Sequence, residues 1–155
     1  MISSPARPAV QSAAERYPEA SKSSCREVSG LADQMAAFLE GEDVTFALDL
    51  LALGDCGAFR EKVLRATHAI GRGYVATYGG LAAHVGCRGG ARAVGNAMAT
   101  NPFPLIIPCH RVIRADRTLG SYGGGGEMKR LLLAQEGIHE DAMGRATQSQ
   151  LVFGS

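Results

Sequence analysis

Residues 77–99 read Thr-Tyr-Gly-Gly-Leu-Ala-Ala-His-Val-Gly-Cys-Arg-Gly-Gly-Ala-Arg-Ala-Val-Gly-Asn-Ala-Met-Ala, and the fold turns on them. Thr77 suits a helix N-cap, because a threonine hydroxyl can accept from an amide of the first turn. Leu81, Ala82 and Val85 then recur at helical spacing, so a helix is expected over residues 77–85, closed by Gly86. A second helix is expected over residues 91–99. It is built almost wholly from small residues (Ala91, Ala93, Gly95, Ala97, Ala99), so its backbone can approach a partner closely. Two short helices joined by a glycine-containing turn have the proportions of a helix-turn-helix.

The flanks extend this reading. Downstream, Asn101-Pro102 and Pro104 mark a turn. The apolar run Leu105-Ile106-Ile107 then leads into Pro108-Cys109-His110-Arg111-Val112. Residues 120–126 form a glycine-rich flexible loop. A last helix follows over residues 127–135, with Met128, Leu131, Leu132 and Leu133 inward and an end near Gly137. The stretch from Ile138 lacks clear periodicity. Upstream, Phe59, Val63, Leu64, Ala66 and Ile70 give one apolar side to a helix over residues 59–70, ended by Gly71 and Gly73. Val28, Leu31, Met35, Phe38 and Leu39 predict another helix over residues 27–39, with Gly41 as its stop. Residues 44–51, apolar and β-branched at the start, read as a strand. Residues 2–24 are rich in Ser, Ala and Pro and read as a loosely held tail. The expected class is α+β, mostly helical.

A chain of 155 residues can bury a core without disulfides or metal. Its formal charge of +1 conceals a segregation. Residues 1–58 carry four basic and nine acidic side chains, residues 59–137 eleven and four, and residues 138–155 one and two. The balances are therefore −5, +7 and −1, a basic middle between acidic ends. Such a middle points to a polyanion partner or to a solvated face. No run approaches the roughly 20 apolar residues of a membrane helix, and no apolar segment near the N-terminus reads as a secretory signal. The four cysteines, Cys25, Cys56, Cys87 and Cys109, include no C-x-x-C pair. An intracellular chain with reduced thiols is expected.

Cys109 is set apart by its neighbours. A thiol attacks only as the thiolate and therefore wants a proton acceptor or positive charge nearby. His110 can serve as base, Arg111 can bias the local potential, and Pro108 fixes the turn. The other three cysteines read as inert small hydrophobes.

Residues 102–113, Pro-Phe-Pro-Leu-Ile-Ile-Pro-Cys-His-Arg-Val-Ile, resemble the active-site signature of the O6-alkylguanine-DNA alkyltransferases. The segments Gly73 to Ala82, Ala91-Arg92-Ala93-Val94-Gly95, Asn101-Pro102, Gly120 to Gly124 and Lys129 through Gly137 resemble further elements of that family, in order and with preserved spacing. The resemblance covers residues 31–137 and implies a suicidal DNA-repair enzyme. Its members flip the damaged base out of the duplex, because the alkyl group is unreachable while stacked, and transfer that group irreversibly to cysteine without a cofactor. It implies Cys109 as alkyl acceptor, His110 as the base acting through water, and Glu136 as the acid orienting that histidine. Tyr78 corresponds to the tyrosine that hydrogen-bonds the flipped base, and Asn101 to an asparagine tying the helix exit to the active-site turn. Arg92 corresponds to an arginine finger that enters the stack. Thr77, Ala91, Ala93, Gly95, Ala97 and Arg111 complete the implied DNA-facing set, with the small-residue helix in the minor groove. Pro104, Val112, Tyr122, Gly123 and Gly124 would line the alkyl pocket.

The same resemblance divides the chain into a tail (1–26), a reduced N-terminal domain (27–57), a helix-turn-helix, winged-helix-like alkyltransferase domain (58–138) and a C-terminal tail (139–155). It implies a monomer acting on double-stranded DNA containing O6-alkylguanine, with O4-alkylthymine as a further substrate, away from membranes, in the cytoplasm and nucleoid or in a nucleus. Gly71 stands where the family usually has proline, and Gly123 where many members have serine. Some members hold zinc near the N-terminus; Cys25 and Cys56 lack matching histidines, so no metal is expected. Two other classes stay in view. An alkyltransferase-like protein binds the lesion without repairing it, but typically has tryptophan for the cysteine, and this chain has none. A cysteine hydrolase would draw its histidine from a distant part of the chain and leave the basic helix pair without a role.

Overall fold

The computed structural model describes residues 25–147 and 150–153, so the reading of residues 2–24 as a tail lies outside them. Helix α1 spans Arg26–Leu39, α2 Ala58–His68, α3 Tyr78–His84, α4 Ala91–Ala99 and α5 Gly126–Gln135. Short strands β1 (Tyr74–Thr77), β2 (Val112–Ile113) and β5 (Gln150–Leu151) form one parallel sheet in the order β2-β1-β5. Strands β3 (His139–Glu140) and β4 (Ala146–Thr147) form an antiparallel pair. The α+β class is therefore as read, and the five helices fall at the expected places along the chain.

The principal core lies among α2, α3 and α4. Val63 and Leu64 of α2, Leu81 and Ala82 of α3, and Val94 and Ala97 of α4 are buried together with Ile107 and Val112. Thr77 caps α3 as its sequence suggested: its Oγ1 accepts from the amide of Gly80 at 2.9 Å. Beyond α3, Gly86 turns the chain at φ +82, a conformation in which a Cβ would be strained. Strand β1 leads directly into α3 and lies beside β2, with Ala76 opposite Val112 and Thr77 opposite Ile113. Because a 3-10 turn, Cys109–Arg111, leads straight into β2, the sheet ties the turn that carries Cys109 to the start of α3.

Three expectations are corrected. Residues 44–51 form no strand. Phe46 is instead buried beside Phe38, ring centroids 5.8 Å apart, in a cluster with Ile106 and Leu132. Its carbonyl accepts from His68 Nε2 at 2.8 Å, so a side chain does what a ladder partner would have done. On α5, Met128 and Leu131 face solvent, 51% and 61% exposed. The inward stripe is Lys129, Leu132, Leu133 and Glu136, at spacing i, i+3, i+4, i+7. The stretch after Ile138, without visible period, supplies β3, β4 and β5. Tyr74 pairs with Gln150 and Val75 with Leu151, and Phe153 stacks on His84 at 3.9 Å between centroids. Elements of two residues are too short to show a period of two. Among the described residues no helix is long and apolar enough to cross a membrane.

Candidate active site

Cys109 sits at the start of its 3-10 turn, 6% exposed, on the wall of a cavity of about 590 Å³. The turn is held from several sides. Asn101, just beyond α4, donates from Nδ2 to the carbonyl of Ile107 (3.1 Å) and to Cys109 Sγ (3.2 Å), while its Oδ1 accepts from the amide of Phe103 (3.0 Å). One asparagine thus fixes both ends of the Pro-rich loop and solvates the sulfur. Leu105 in that loop is held at φ +71, an unfavourable backbone for a branched side chain.

Behind the sulfur lies a buried charged cluster. His110 is wholly buried, and its Nε2 donates to Glu136 Oε1 at 2.8 Å. Arg111 donates from Nε to both oxygens of Glu136 (3.1 and 2.9 Å) and from Nη2 to Oε1 (2.8 Å). Its Nη1 donates to the carbonyl of Ile70. Burial by itself would raise the Glu136 pKa, but the hydrogen bonds from His110 and Arg111 prevail and hold it at about 2. Burial pushes the His110 pKa below its usual value, against the pull of Glu136. The resting cluster is a carboxylate, a guanidinium and a neutral imidazole. With Nε2 carrying the proton to Glu136, Nδ1 is left as acceptor. It is buried and without a hydrogen-bond partner among the described residues, so the cluster presents one unused base.

Burial also raises the Cys109 pKa, moderated by the Asn101 hydrogen bond and by the charge of Lys129. The resting thiol is therefore protonated and inert, and the thiolate forms when a proton acceptor takes its proton. Lys129 is the residue that the sequence reading missed in this role. It is 0% exposed, its Nζ donates to the carbonyl of Val112 at 2.6 Å, and burial lowers its pKa from 10.5 to about 8. A buried lysine without a carboxylate partner is costly, which points to a function for its charge beside the sulfur. Lys129→Met is expected to keep or raise the melting temperature, because relief of the buried charge offsets the lost hydrogen bond. The same change should slow reaction at Cys109 about tenfold, the order for losing ~1.4 kcal/mol of thiolate stabilisation. Thermal unfolding and thiol alkylation kinetics on one preparation check both halves.

The cavity is lined by Tyr78, Ala91, Arg92, Gly95, Asn96, Met98, Ala99, Cys109, Arg114, Ser121, Tyr122 and Gly123. The structure thus brings together Cys109, Tyr78, Arg92, Ala91, Gly95, Tyr122 and Gly123 from the candidate set, and adds Asn96, Met98, Ala99, Arg114 and Ser121. Tyr78 and Tyr122 are half-buried with raised pKa values, Tyr122 to about 12, from burial first and the neighbouring Cys109 second. Both stay phenols and can donate.

Other candidates are placed elsewhere. Arg111 is turned inward on Glu136, so it is no DNA-facing cation. Thr77 is buried with its hydroxyl spent on the α3 cap. Ala97 packs into the core with Val94 and Met98, because i, i+3 and i+4 share a helix face. Ala93, by contrast, is exposed. Val112 is fully buried in β2, off the cavity wall; it packs in the core cluster that includes Cys109, and its carbonyl receives Lys129. Pro104 is exposed, bridged to Ile107, outside the cavity wall. Gly124 is also off the wall. A Cβ there would stand 2.6 Å from Met128 Sδ and 3.0 Å from the Tyr122 ring, so a side chain at this position would have to displace the exposed end of Met128 and press on the ring. Among the described residues no group of three or more His, Cys, Asp or Glu side chains is placed to hold a metal.

Comparison with known proteins bears on this geometry. Residues 58–138 match the sequence model of the family described as 6-O-methylguanine DNA methyltransferase, DNA binding domain. A methylated-DNA–protein-cysteine methyltransferase of Methanothermobacter thermautotrophicus is 42% identical over 111 residues, 72% of this chain and 62% of that protein. The crystal structure of Mycobacterium tuberculosis OGT in complex with DNA is similar at a TM-score of 0.63 and 41% identity, covering 70% of this chain and 66% of that one. The O6-methylguanine-DNA methyltransferase of Pyrococcus kodakaraensis superposes with a TM-score of 0.64 at 31% identity, covering 83% and 76%. The chain thus spans 62% to 76% of the length of these relatives.

Proposed function

Since the chain belongs to the 6-O-methylguanine DNA methyltransferase family, we propose that it repairs DNA by moving an alkyl group from O6 of guanine to Cys109, once per molecule. The observation that carries this reading is the thiol of Cys109 on the wall of a cavity of about 590 Å³, backed by the buried His110–Glu136–Arg111 cluster. An extruded purine enters beside Tyr78 and Tyr122. His110 Nδ1 takes the thiol proton through a water, with Asn101 and Lys129 stabilising the thiolate. The sulfur–carbon bond forms as the carbon–O6 bond breaks, its electron pair stays with the purine, and the proton taken up by His110 returns through solvent to that purine, which leaves with a hydrogen in place of its alkyl group. Tyr78 donates to the departing base, since its phenol keeps its proton. The product is a thioether with no proton to regain, so the site is consumed.

In this reading α3, the turn after it and α4 form a helix-turn-helix. The small α4 face of Ala91, Gly95 and Ala99 lies in the minor groove, and Arg92 fills the gap left by the base. Residues 27–57 act as a reduced N-terminal domain, and the protein works as an intracellular monomer on duplex DNA, with neither metal nor cofactor. The test is incubation with an oligonucleotide containing O6-methylguanine, followed by intact mass and peptide mapping. One methyl on Cys109 is the expected result. Tight lesion binding with no mass gain would instead assign the protein to lesion recognition without repair.

A further inference from the structure

Arg114 has no part in the chemistry above, yet it lines the cavity beside Cys109 and Tyr78. It is exposed, and its guanidinium makes no hydrogen bond or ion pair among the described residues. Its setting is rigid. The Arg114 amide donates to the carbonyl of Thr118, and the Arg117 amide donates back to the Arg114 carbonyl, both at 2.9 Å. Asp116 Oδ1 accepts from the amide and hydroxyl of Thr118 at 3.0 and 2.7 Å, so the carboxylate that feels the Arg114 charge is committed to holding the turn and does not pair with the guanidinium. Gly120 leaves room for the side chain. A Cβ there would stand 3.4 Å from Arg114 Cγ, 3.5 Å from its Nε and 3.5 Å from Tyr78 Cε2. The stem of Arg114 and the edge of Tyr78 therefore meet over a missing side chain, and the guanidinium stands at the rim of the cavity, free to bind.

We propose that Arg114 grips a backbone phosphate of the strand whose base occupies the cavity, from a different element than the one that carries Arg92. This rests on the proposed function. A base drawn into the cavity brings its own phosphates to the rim, and an unpaired guanidinium there offers the planar donor pair that phosphate oxygens accept. Arg92, from α4, and Arg114, from the turn after β2, would then hold the extruded nucleotide between two elements.

The proposal separates a DNA substrate from a bare base. Alkyl transfer to Arg114→Ala should be measured with a duplex containing O6-methylguanine and with O6-benzylguanine as the free base. The second-order rate on duplex should fall about tenfold at 0.1 M salt, and the slope of log rate against log salt should lessen by about one, as for one lost phosphate contact. The rate on the free base should fall less than twofold. Arg114→Lys, a point charge on a similar stem, should restore most of the duplex rate at low salt and less at high salt. An equal loss on both substrates, in the alanine and the lysine variants alike, would place Arg114 with Tyr78 on the base or in the fold and overturn the phosphate assignment. No loss on either substrate would overturn it also. A wild-type protein inert towards both substrates would instead sink the proposed repair reaction itself.

Discussion

Cys109→Ala is expected to abolish alkyl uptake while leaving the affinity for lesion-containing duplex within a few fold. The first half follows from the cavity wall. Of the groups that could replace the sulfur, Tyr78 and Tyr122 are held as phenols by burial, Tyr122 with a pKa of about 12. Ser121 is exposed and hydrogen-bonds to no base among the described residues. His110 is wholly buried and stands off the cavity wall, so its imidazole is no acceptor for an alkyl group held there. The second half follows from packing. Alanine removes one sulfur from a wall position and one hydrogen bond from Asn101, which keeps its bonds to Ile107 and Phe103. Cys109 itself is a small residue of the core edge, so the loss is of the order of 1 kcal/mol in stability. Intact mass after exposure to O6-methylguanine DNA reads the first half, and a gel or anisotropy titration with the same duplex reads the second. A methyl gain in the variant would show that another atom takes the alkyl group. Loss of lesion affinity together with uptake would show that the sulfur shapes the site as well as reacting in it.

The reach of the sequence is uneven for reasons visible in particular residues. Helices α1 to α3 were legible because their apolar residues recur every three or four positions and because Thr77, Gly41 and Gly86 punctuate them, and α4 because small residues fill the stretch after the glycine turn. The turn at Cys109 was legible because a thiol flanked by a proline, a possible base and a cation is a chemical pattern rather than an apolar one. Lys129 and Glu136 were harder. They occupy two of the four inward positions of α5, where a hydrophobic pattern looks for leucine, so the pattern slid onto Met128 and Leu131, which face solvent. A polar residue in an inward stripe is the mark of a site, and here it disguised the face of the helix. Arg111 was misplaced for a related reason. Its charge suggested DNA, but a carboxylate 25 residues away claims it, a contact that no local pattern encodes. Strands β3 to β5 escaped because pairs of residues carry no period, and their existence depends on the open edge of β1 and on the antiparallel partner after a tight turn.

Glu136→Gln is expected to weaken the fold and slow the chemistry together, with a signature in acid that identifies the cause. Glu136 is the one anion in a cluster that contains Arg111 and His110, with its side chain wholly buried. Neutralising it leaves the Arg111 guanidinium buried without a counter-charge, which in comparable settings costs ~3–5 kcal/mol, a large part of the stability of a small domain. The acid profile makes the claim specific. In the unfolded chain this carboxylate titrates near 4.5, in the fold at about 2. Between those values the unfolded state binds a proton that the fold does not, so stability present above pH 4.5 is lost as the pH falls towards 2. At ~1.4 kcal/mol per pH unit the loss amounts to ~3 kcal/mol. The variant has no carboxylate at this position and should lack that part of the slope. His110, whose folded pKa also lies below its usual value, makes both proteins lose stability as the pH falls below about 6.5, so the missing slope is confined to the more acid window. Alkyl transfer should slow by about a hundredfold or more, the usual contribution of a positioned proton acceptor, because glutamine holds the imidazole less firmly and no longer stabilises it once protonated. Urea unfolding between pH 2 and 7 and single-turnover rates at neutral pH test the two claims. Equal stability and an equal acid slope in the two proteins would show that Arg111 and Glu136 do not form the buried pair. A normal rate in a destabilised variant would show that the pair holds the fold without serving the thiol.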